Sequence, residues 1–448
     1  MAVDLLIRGS TVVRPNAVVK QDVAVEGGII TALEEELHLD AKEVIDAANL
    51  YLMPSLIDAH VHFNEPGRSH WEGFATGSAG LAAGGGTLFI DMPLNSTPPL
   101  LDRSAFVAKR RAAEASAHTD FAFWGGLTPR NLERLPELAE LGVVGFKAFM
   151  SDSGIAEFQA VDDLSLFEGM RIAAELDLPV AVHAESDTLT RTITQRIRSS
   201  GGRSARDYLA SRPLFTELEA IQRALLLAEE TGAQLHLVHV SCGEGVVLAT
   251  RAKARGVRVS VETCPHYLHF DENALEQLGA IAKCAPPLRP EREQRALWQA
   301  LRAGEIDLIA SDHSPCPPEL KEPADFFEAW GGIAGVQSTL EVLLSHREQE
   351  GVPLQQIAAL TAKSPTELFG LANKGQLEVG FDADLALVDM NASTTLTKEA
   401  LLCKHKQSPY VGLPLHGKVI RTMLRGSTIY LDGRLVDRGR GRFVRPQR

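Results

Sequence analysis

Cysteine is scarce in this chain of 448 residues. The five cysteines, Cys242, Cys264, Cys284, Cys316 and Cys403, are odd in number and include no C-x-x-C pair. That pattern argues against a disulfide framework and predicts a reducing compartment. Long apolar runs are also missing. None reaches the roughly 18 residues of a membrane span, so no membrane partner is expected. Residues 1–13 lack a basic segment followed by an apolar core, which argues against a signal peptide. A cytoplasmic protein is the resulting expectation. Positive charge is in deficit, with a net charge of −13, and this disfavours nucleic acid as a partner. An early Gly-x-Gly-x-x-Gly turn is absent. Gly84-Gly85-Gly86 precedes a strand instead of opening a helix, so a dinucleotide-binding open sheet has no marker here.

What is present is ordinary globular composition, 45% hydrophobic and 23% charged, in a chain long enough for one large and one small domain. Short strand patterns with turns occupy residues 4–9, 23–28 and 29–33, and return at 384–388, 419–426 and 428–431. The two ends (1–52 and 375–448) are therefore expected to pair into a small β-sandwich domain. Between them, eight short apolar runs occur at 56–61, 87–91, 121–125, 143–149, 179–183, 235–240, 257–261 and 306–311. Amphipathic helix patterns at 104–117, 164–175, 217–231 and 291–303 lie among them. This alternation predicts an α/β fold, a (β/α)8 TIM barrel over 53–374.

Catalytic groups of such a barrel sit at the C-terminal ends of its strands. The first run ends in His60-Val61-His62. Two imidazoles at that spacing share one side of a strand and make half of a tetrahedral metal site. Lys147 lies inside the fourth run, His183 ends the fifth, His239 the sixth, and Asp312 follows the eighth. His236 shares the sixth run, and alternation lets at most one of the pair face inward. His239 is the choice because it lies nearer the strand end. Four histidines and an aspartate suffice for two divalent metals. A lysine in an apolar strand is costly to bury charged, and carbamylation would make it an anion able to bridge them. Each residue also has a plain reading: a hydrogen-bonded core histidine, a snorkelling lysine, a capping aspartate. Their joint placement at five strand ends favours a metal-assisted amide hydrolysis, with Asp312 collecting the proton and returning it to the leaving nitrogen.

The runs 58–68, Trp71-Glu72-Gly73-Phe74, 91–96, Gly145-Phe146-Lys147, 262–267, 283–287, 311–315 and 330–337 carry a resemblance across essentially the whole chain. It resembles the cyclic amidohydrolases, the family of dihydroorotase, dihydropyrimidinase (hydantoinase) and allantoinase, and most the allantoinase branch. The resemblance implies that His60, His62, Lys147 and Asp312 hold one metal. Lys147, His183 and His239 would hold the other, with Lys147 carboxylated and bridging. It further implies hydrolytic opening of allantoin to allantoate by a metal-bridged hydroxide, a step of purine catabolism, in a homotetramer. Zinc, cobalt, manganese and iron all suit the ligand set. Dihydroorotases carry an arginine for the substrate carboxylate where this chain has Asn64, and an asparagine where it has Leu94, with Asn95 one place along. A neutral hydantoin ring fits better than an anion, and Asn64, Arg68, Asn95 and Ser314 are expected to hydrogen-bond it. Hydantoinase, dihydropyrimidinase or dihydroorotase activity is the alternative. A non-enzymatic relative is disfavoured because all six ligands are in place. The segment 184–215, long and polar, is expected to lie partly near the barrel mouth as a lid.

Overall fold

The computed structural model describes residues 2–436 and 441–447, so Met1, 437–440 and Arg448 of the expected end domain lie outside the described residues. Five strands open the chain: β1 (Val3–Arg14), β2 (Ala17–Glu26), β3 (Ile29–Glu34), β4 (Ala41–Asp46) and β5 (Tyr51–Pro54). Four more close it: β15 (Leu385–Thr395), β16 (Pro414–Leu424), β17 (Ser427–Leu431) and β18 (Arg434–Leu435). All nine belong to one sheet, in the order β18-β17-β16-β15-β5-β1-β2-β3, with β4 beside β1. The join between the chain ends is antiparallel, Leu385 facing Pro54 and Leu387 facing Leu52. The sheet curls on itself. Val12, Val23 and Val25 share one buried core with Leu385, Leu387 and Met423, and Ala383 N–H reaches Gly28 O at 2.8 Å. Burial of these alternate positions gives the sheet its dry face.

The middle of the chain forms the barrel strands: β6 (Leu56–Val61), β7 (Gly86–Asp91), β8 (Asp120–Phe123) continued by β9 (Gly125–Gly126), β10 (Phe146–Phe149), β11 (Val180–His183), β12 (Leu235–Leu237), β13 (Val259–Thr263) and β14 (Leu308–Ile309). Neighbours pair in parallel throughout. The ring closes where Val61 bridges His313 and where His62 N–H donates to His313 O at 2.7 Å. Both faces of these strands are covered, which is why they read as continuous apolar runs. Leu88 and Ile90 point into the barrel with Ala181 and Leu308, while Phe89, Val180 and Val182 pack outward under the helices.

The four helix patterns appear as Arg103–Ser116, Asp163–Glu175, Leu214–Thr231 and Glu291–Arg302. Three of the nine sheet strands, β4, β5 and β18, have no counterpart among the sequence patterns. The final segment also departs from the expected grouping. Residues 441–447 leave the sheet and lie along the barrel, Phe121 N–H donating to Arg442 O at 3.0 Å and Val444 N–H to Phe121 O at 2.8 Å.

Candidate active site

A cavity of about 90 Å³ opens at the C-terminal ends of the barrel strands and is lined by His60, His62, His183, His239 and Asp312. Local backbone features aim these side chains. In β6, Asp58 pairs with Phe89 but Val61 pairs with Asp91, so three residues span two. This bulge shifts the alternation. Ile57 and Ala59 fill the barrel interior, and His60 and His62 beyond it still face the cavity. His239 and Asp312 adopt left-handed φ values of 41° and 45°, a strained conformation for such residues and one that gathers at functional sites.

That conformation corrects the alternation argument for the sixth strand. His236 is not turned outward. It stacks on Trp124 at 6.0 Å inside the barrel, with Nε2 3.3 Å from Glu262 Oε2. β12 ends at Leu237, and the left-handed turn at His239 brings its ring back to the same side.

The nitrogen and oxygen donors converge. His60 Nε2 and His62 Nε2 lie 3.2 and 3.4 Å from Asp312 Oδ1, and His183 Nδ1 lies 3.1 Å from His239 Nε2. Ligand atoms of His60, His239 and Asp312 all fall within 4.8 Å of one another. Lys147 Nζ is fully buried and has no hydrogen-bond partner, as are His62 Nδ1 and His239 Nδ1. Burial pushes the Lys147 amine down to about 7, against the pull of Glu262 and Asp312. Burial would raise the Asp312 carboxyl, but His60 and His62 hold it down at about 2. Burial likewise lowers His183, and lowers His239 further with Lys147 beside it. Neutral imidazoles, one carboxylate and a deprotonable amine are the donor states that a divalent metal requires. The orphaned buried atoms and the clustered lone pairs fit a metal centre.

Carboxylates that sequence reasoning did not assign hold the imidazoles. Glu262 Oε1 meets His60 Nδ1 at 2.7 Å and accepts from His239 N–H at 3.1 Å. Glu185 Oε2 meets His183 Nε2 at 2.8 Å and is itself paired with Arg212. Such partners fix tautomer and ring orientation. Asp58 Oδ1 accepts from His60 N–H and Ser311 N–H at 3.3 and 3.1 Å, and burial pushes its carboxyl up to about 6. His-x-Glu at 183–185 was the available signal for Glu185. For Glu262 the signal was its place at the head of the run 262–267, on a strand.

Of the four residues expected to hold substrate, Asn95 and Ser314 line the cavity, 3.5 Å apart from Nδ2 to Oγ. Asn64 and Arg68 do not. Asn64 is buried with Nδ2 on Pro315 O at 3.3 Å. The Arg68 guanidinium sits over Trp71 at 5.2 Å, and Trp71 meets the cavity-lining Trp330 edge-on at 4.7 Å. Arg68 thus stands behind the lining, its Nη1 donating to the backbone oxygen of cavity-lining Asn95 at 3.4 Å. Leu94, Phe149, Asp152, Arg212, Cys284 and the stretch Trp330–Gly332 also contribute to the lining. A second cavity of about 570 Å³ adjoins it, sharing Asp152 and Arg212 and bounded by Thr190, Thr194 and Arg198 of the segment after β11.

The sequence profile of the amidohydrolase family matches residues 51–429. The chain belongs to the amidohydrolase family. It is a hydrolase, and members of this family typically carry a binuclear metal centre. Among its relatives, an allantoinase of Solibacter usitatus is 54% identical across 99% of this chain and 97% of that one. An allantoinase of Deinococcus radiodurans is 52% identical over all of both chains, and one of Escherichia coli 44% identical over 96% of both. Of solved structures, the L-hydantoinase (dihydropyrimidinase) of Arthrobacter aurescens superimposes with a TM-score of 0.96 at 34% identity, covering 99% of this chain and 100% of that one. A D-hydantoinase gives 0.92 at 30%, covering 99% of each. This amidohydrolase is therefore a TIM-barrel enzyme, and among its described residues no helix is long and apolar enough to cross a membrane.

Proposed function

We propose that this amidohydrolase opens the hydantoin ring of allantoin to give allantoate. The observation that carries the reading is end-to-end identity of 44–54% to allantoinases, joined to a cavity with the donors for amide hydrolysis. His60, His62, Lys147 and Asp312 would hold one divalent ion. Lys147, His183 and His239 would hold the other, with Lys147 carboxylated so that two oxygens replace one nitrogen. When bound, the ions acidify water and polarise the amide carbonyl; zinc, cobalt, manganese and iron all suit these donors.

The chain's own groups do the rest. Glu262 and Glu185 keep His60 and His183 presenting the correct nitrogen. Asp312, ionised and facing both His60 and His62, takes a proton from the attacking water and returns it to the ring nitrogen as the C–N bond breaks. Asn95 and Ser314 offer hydrogen bonds to the neutral ring, and among the described residues the arginine of the cavity lining, Arg212, is already paired with Glu185 instead of standing free for a substrate carboxylate. A cytoplasmic homotetramer belongs to the same reading.

Hydantoinase activity is the second reading, favoured by the 0.96 superposition. A panel of allantoin, hydantoin, dihydrouracil and dihydroorotate, run on protein of known metal content, separates them. Allantoin should be preferred over dihydroorotate on the order of a thousandfold in kcat/KM, as for a site built for hydrogen bonds that meets the wrong partner. Equal rates on hydantoin and allantoin would move the assignment to the second reading.

A further inference from the structure

Two lysines beside the cavity, Lys283 buried and Lys321 half-buried, have no salt-bridging carboxylate among the described residues. Lys283 Nζ donates to Phe326 O, Phe327 O and Ala329 O at 2.7, 3.2 and 2.6 Å. Lys321 Nζ donates to Ala280 O, Trp330 O and Gly332 O at 2.9, 2.9 and 2.7 Å. An ammonium has three donors, and each of these is matched by three backbone carbonyls. A buried charge is costly, so a purely structural filler at either position would be better apolar. What all of the six carbonyls but that of Ala280 have in common is their location. Five belong to residues 326–332, which carry only one short 3-10 turn, Phe326–Glu328. Trp330, Gly331 and Gly332 from that stretch form one wall of the cavity.

The wall is also pressed against the metal side. Gly332 N–H donates to Lys283 O, and Ser314 N–H to Ile333 O, at 2.8 and 2.9 Å. A Cβ on Gly332 would stand 2.3 Å from Ser314 O. The two backbones are therefore in direct contact two residues from Asp312. Lys321 grips Trp330 and Gly332 on either side of Gly331. Lys283 holds the approach to them, its Nζ over the Tyr208 and Phe326 rings at 4.6 and 5.3 Å.

We propose that Lys283 and Lys321 are positioning residues that hold the 326–332 backbone as a preformed wall for the substrate ring, setting affinity without touching metal or substrate. The inference about affinity rests on the reading of a cyclic amide substrate. The test compares wild-type enzyme with Lys321→Met and Lys283→Met by metal content, steady-state kinetics on allantoin, and hydrogen exchange. Amides at 326–333 should exchange faster in both variants while those of β10 and β11 do not. KM should rise about tenfold, with kcat within about threefold and metal content unchanged, the signature of lost uniform binding. Lys321→Gln keeps two donors and is read in the same assays if Lys321→Met does not fold. Unchanged exchange at 326–333, an unchanged KM, or a loss carried by kcat together with lost metal overturns the proposal. If wild-type protein hydrolyses no cyclic amide, the functional reading fails, and faster or unchanged exchange alone then supports or overturns the clamp.

Discussion

At the scale of single residues, the cavity contains groups that are poor neighbours for one another in the absence of a cation. Lys147 Nζ is buried with no partner, and Asp312 is ionised between two imidazoles. The proposed roles make distinct predictions. Lys147→Ala should abolish turnover and lower metal content, and a short carboxylic acid supplied in solution should restore part of both. Full metal occupancy with near-normal rates would remove the bridging role. Asp312→Asn should lose at least about a hundredfold in kcat, the low end of what acid–base catalysis contributes, and keep its unfolding midpoint. Wild-type turnover in that variant would reduce Asp312 to a capping residue. Glu262→Gln tests the carboxylate behind His60 and His239. Losing such a partner costs about 10–100-fold in metal affinity or activity, readable by competition with a chelator. Unaltered affinity would mean that Glu262 serves only the packing around His236.

At the scale of elements, the expectations from sequence held where the chain obeys a simple period and failed where it departs from one. The barrel strands were legible because both faces of each are buried, and on five of them a polar residue in or after the run stands out against it. His60 and His62 kept their place through a bulge that no pattern announces. His239 was selected by nearness to the strand end, although the alternation that seemed to exclude His236 does not survive the left-handed turn. Asn64 and Arg68 stand outside the lining for another reason. A motif fixes which residues are near the site, and cannot say whether a side chain faces the cavity or braces its wall. Glu185 and Glu262 were missed because hydrogen-bond partners of ligands carry no spacing of their own.

The segment after β11 is more ordered than its composition suggested, with helices at Asp187–Ser199 and Ala205–Ser211. The first buries only Thr190, so it is weakly held. Limited proteolysis there should slow when a substrate analogue is bound, and unchanged cleavage would count against a lid. The helix Thr339–Glu350 makes a different prediction. It packs on β16, and burial pushes the Glu341 carboxyl up to about 7, although Val419 N–H, 3.3 Å away, pulls it down. The native state thus keeps a proton that the unfolded chain releases above its usual 4.5. Its stabilising contribution is full below that value and is lost as pH rises towards 7. Between pH 5 and 7 the urea midpoint of Glu341→Gln should therefore fall less than that of wild type. Parallel curves would refute the buried proton.

At the scale of the whole molecule, barrel and sheet are joined by a buried ion cluster. Lys374 Nζ lies 3.0 Å from Asp120 of β8, and 2.8 and 2.6 Å from Asp382 and Asp384, which lead into β15 of the sheet. Arg425 pairs with the same Asp120. Burial alone would lower the Lys374 amine, but these carboxylates raise it well above its usual value. Lys374→Met leaves several buried carboxylates short of a cation and should cost about 3–5 kcal/mol in unfolding free energy, with both units still unfolding together. A loss below about 1 kcal/mol would mark the cluster as no stronger than a surface pair.

The pairing of β5 with β15 also dictates an order of events during synthesis. The opening strands leave the ribosome with their partner strand still untranslated, the whole barrel intervening. Through that interval β5 offers an unpaired edge, a hazard that isolated strands carry. A second late contact follows, because residues 441–447 lie along β8 only after they too have been synthesised. Synthesis of β15 and of the segment at 441–447, not emergence of the barrel, is therefore the step after which the described structure can form. Nascent chains stalled short of residue 385 would be the natural clients of a chaperone.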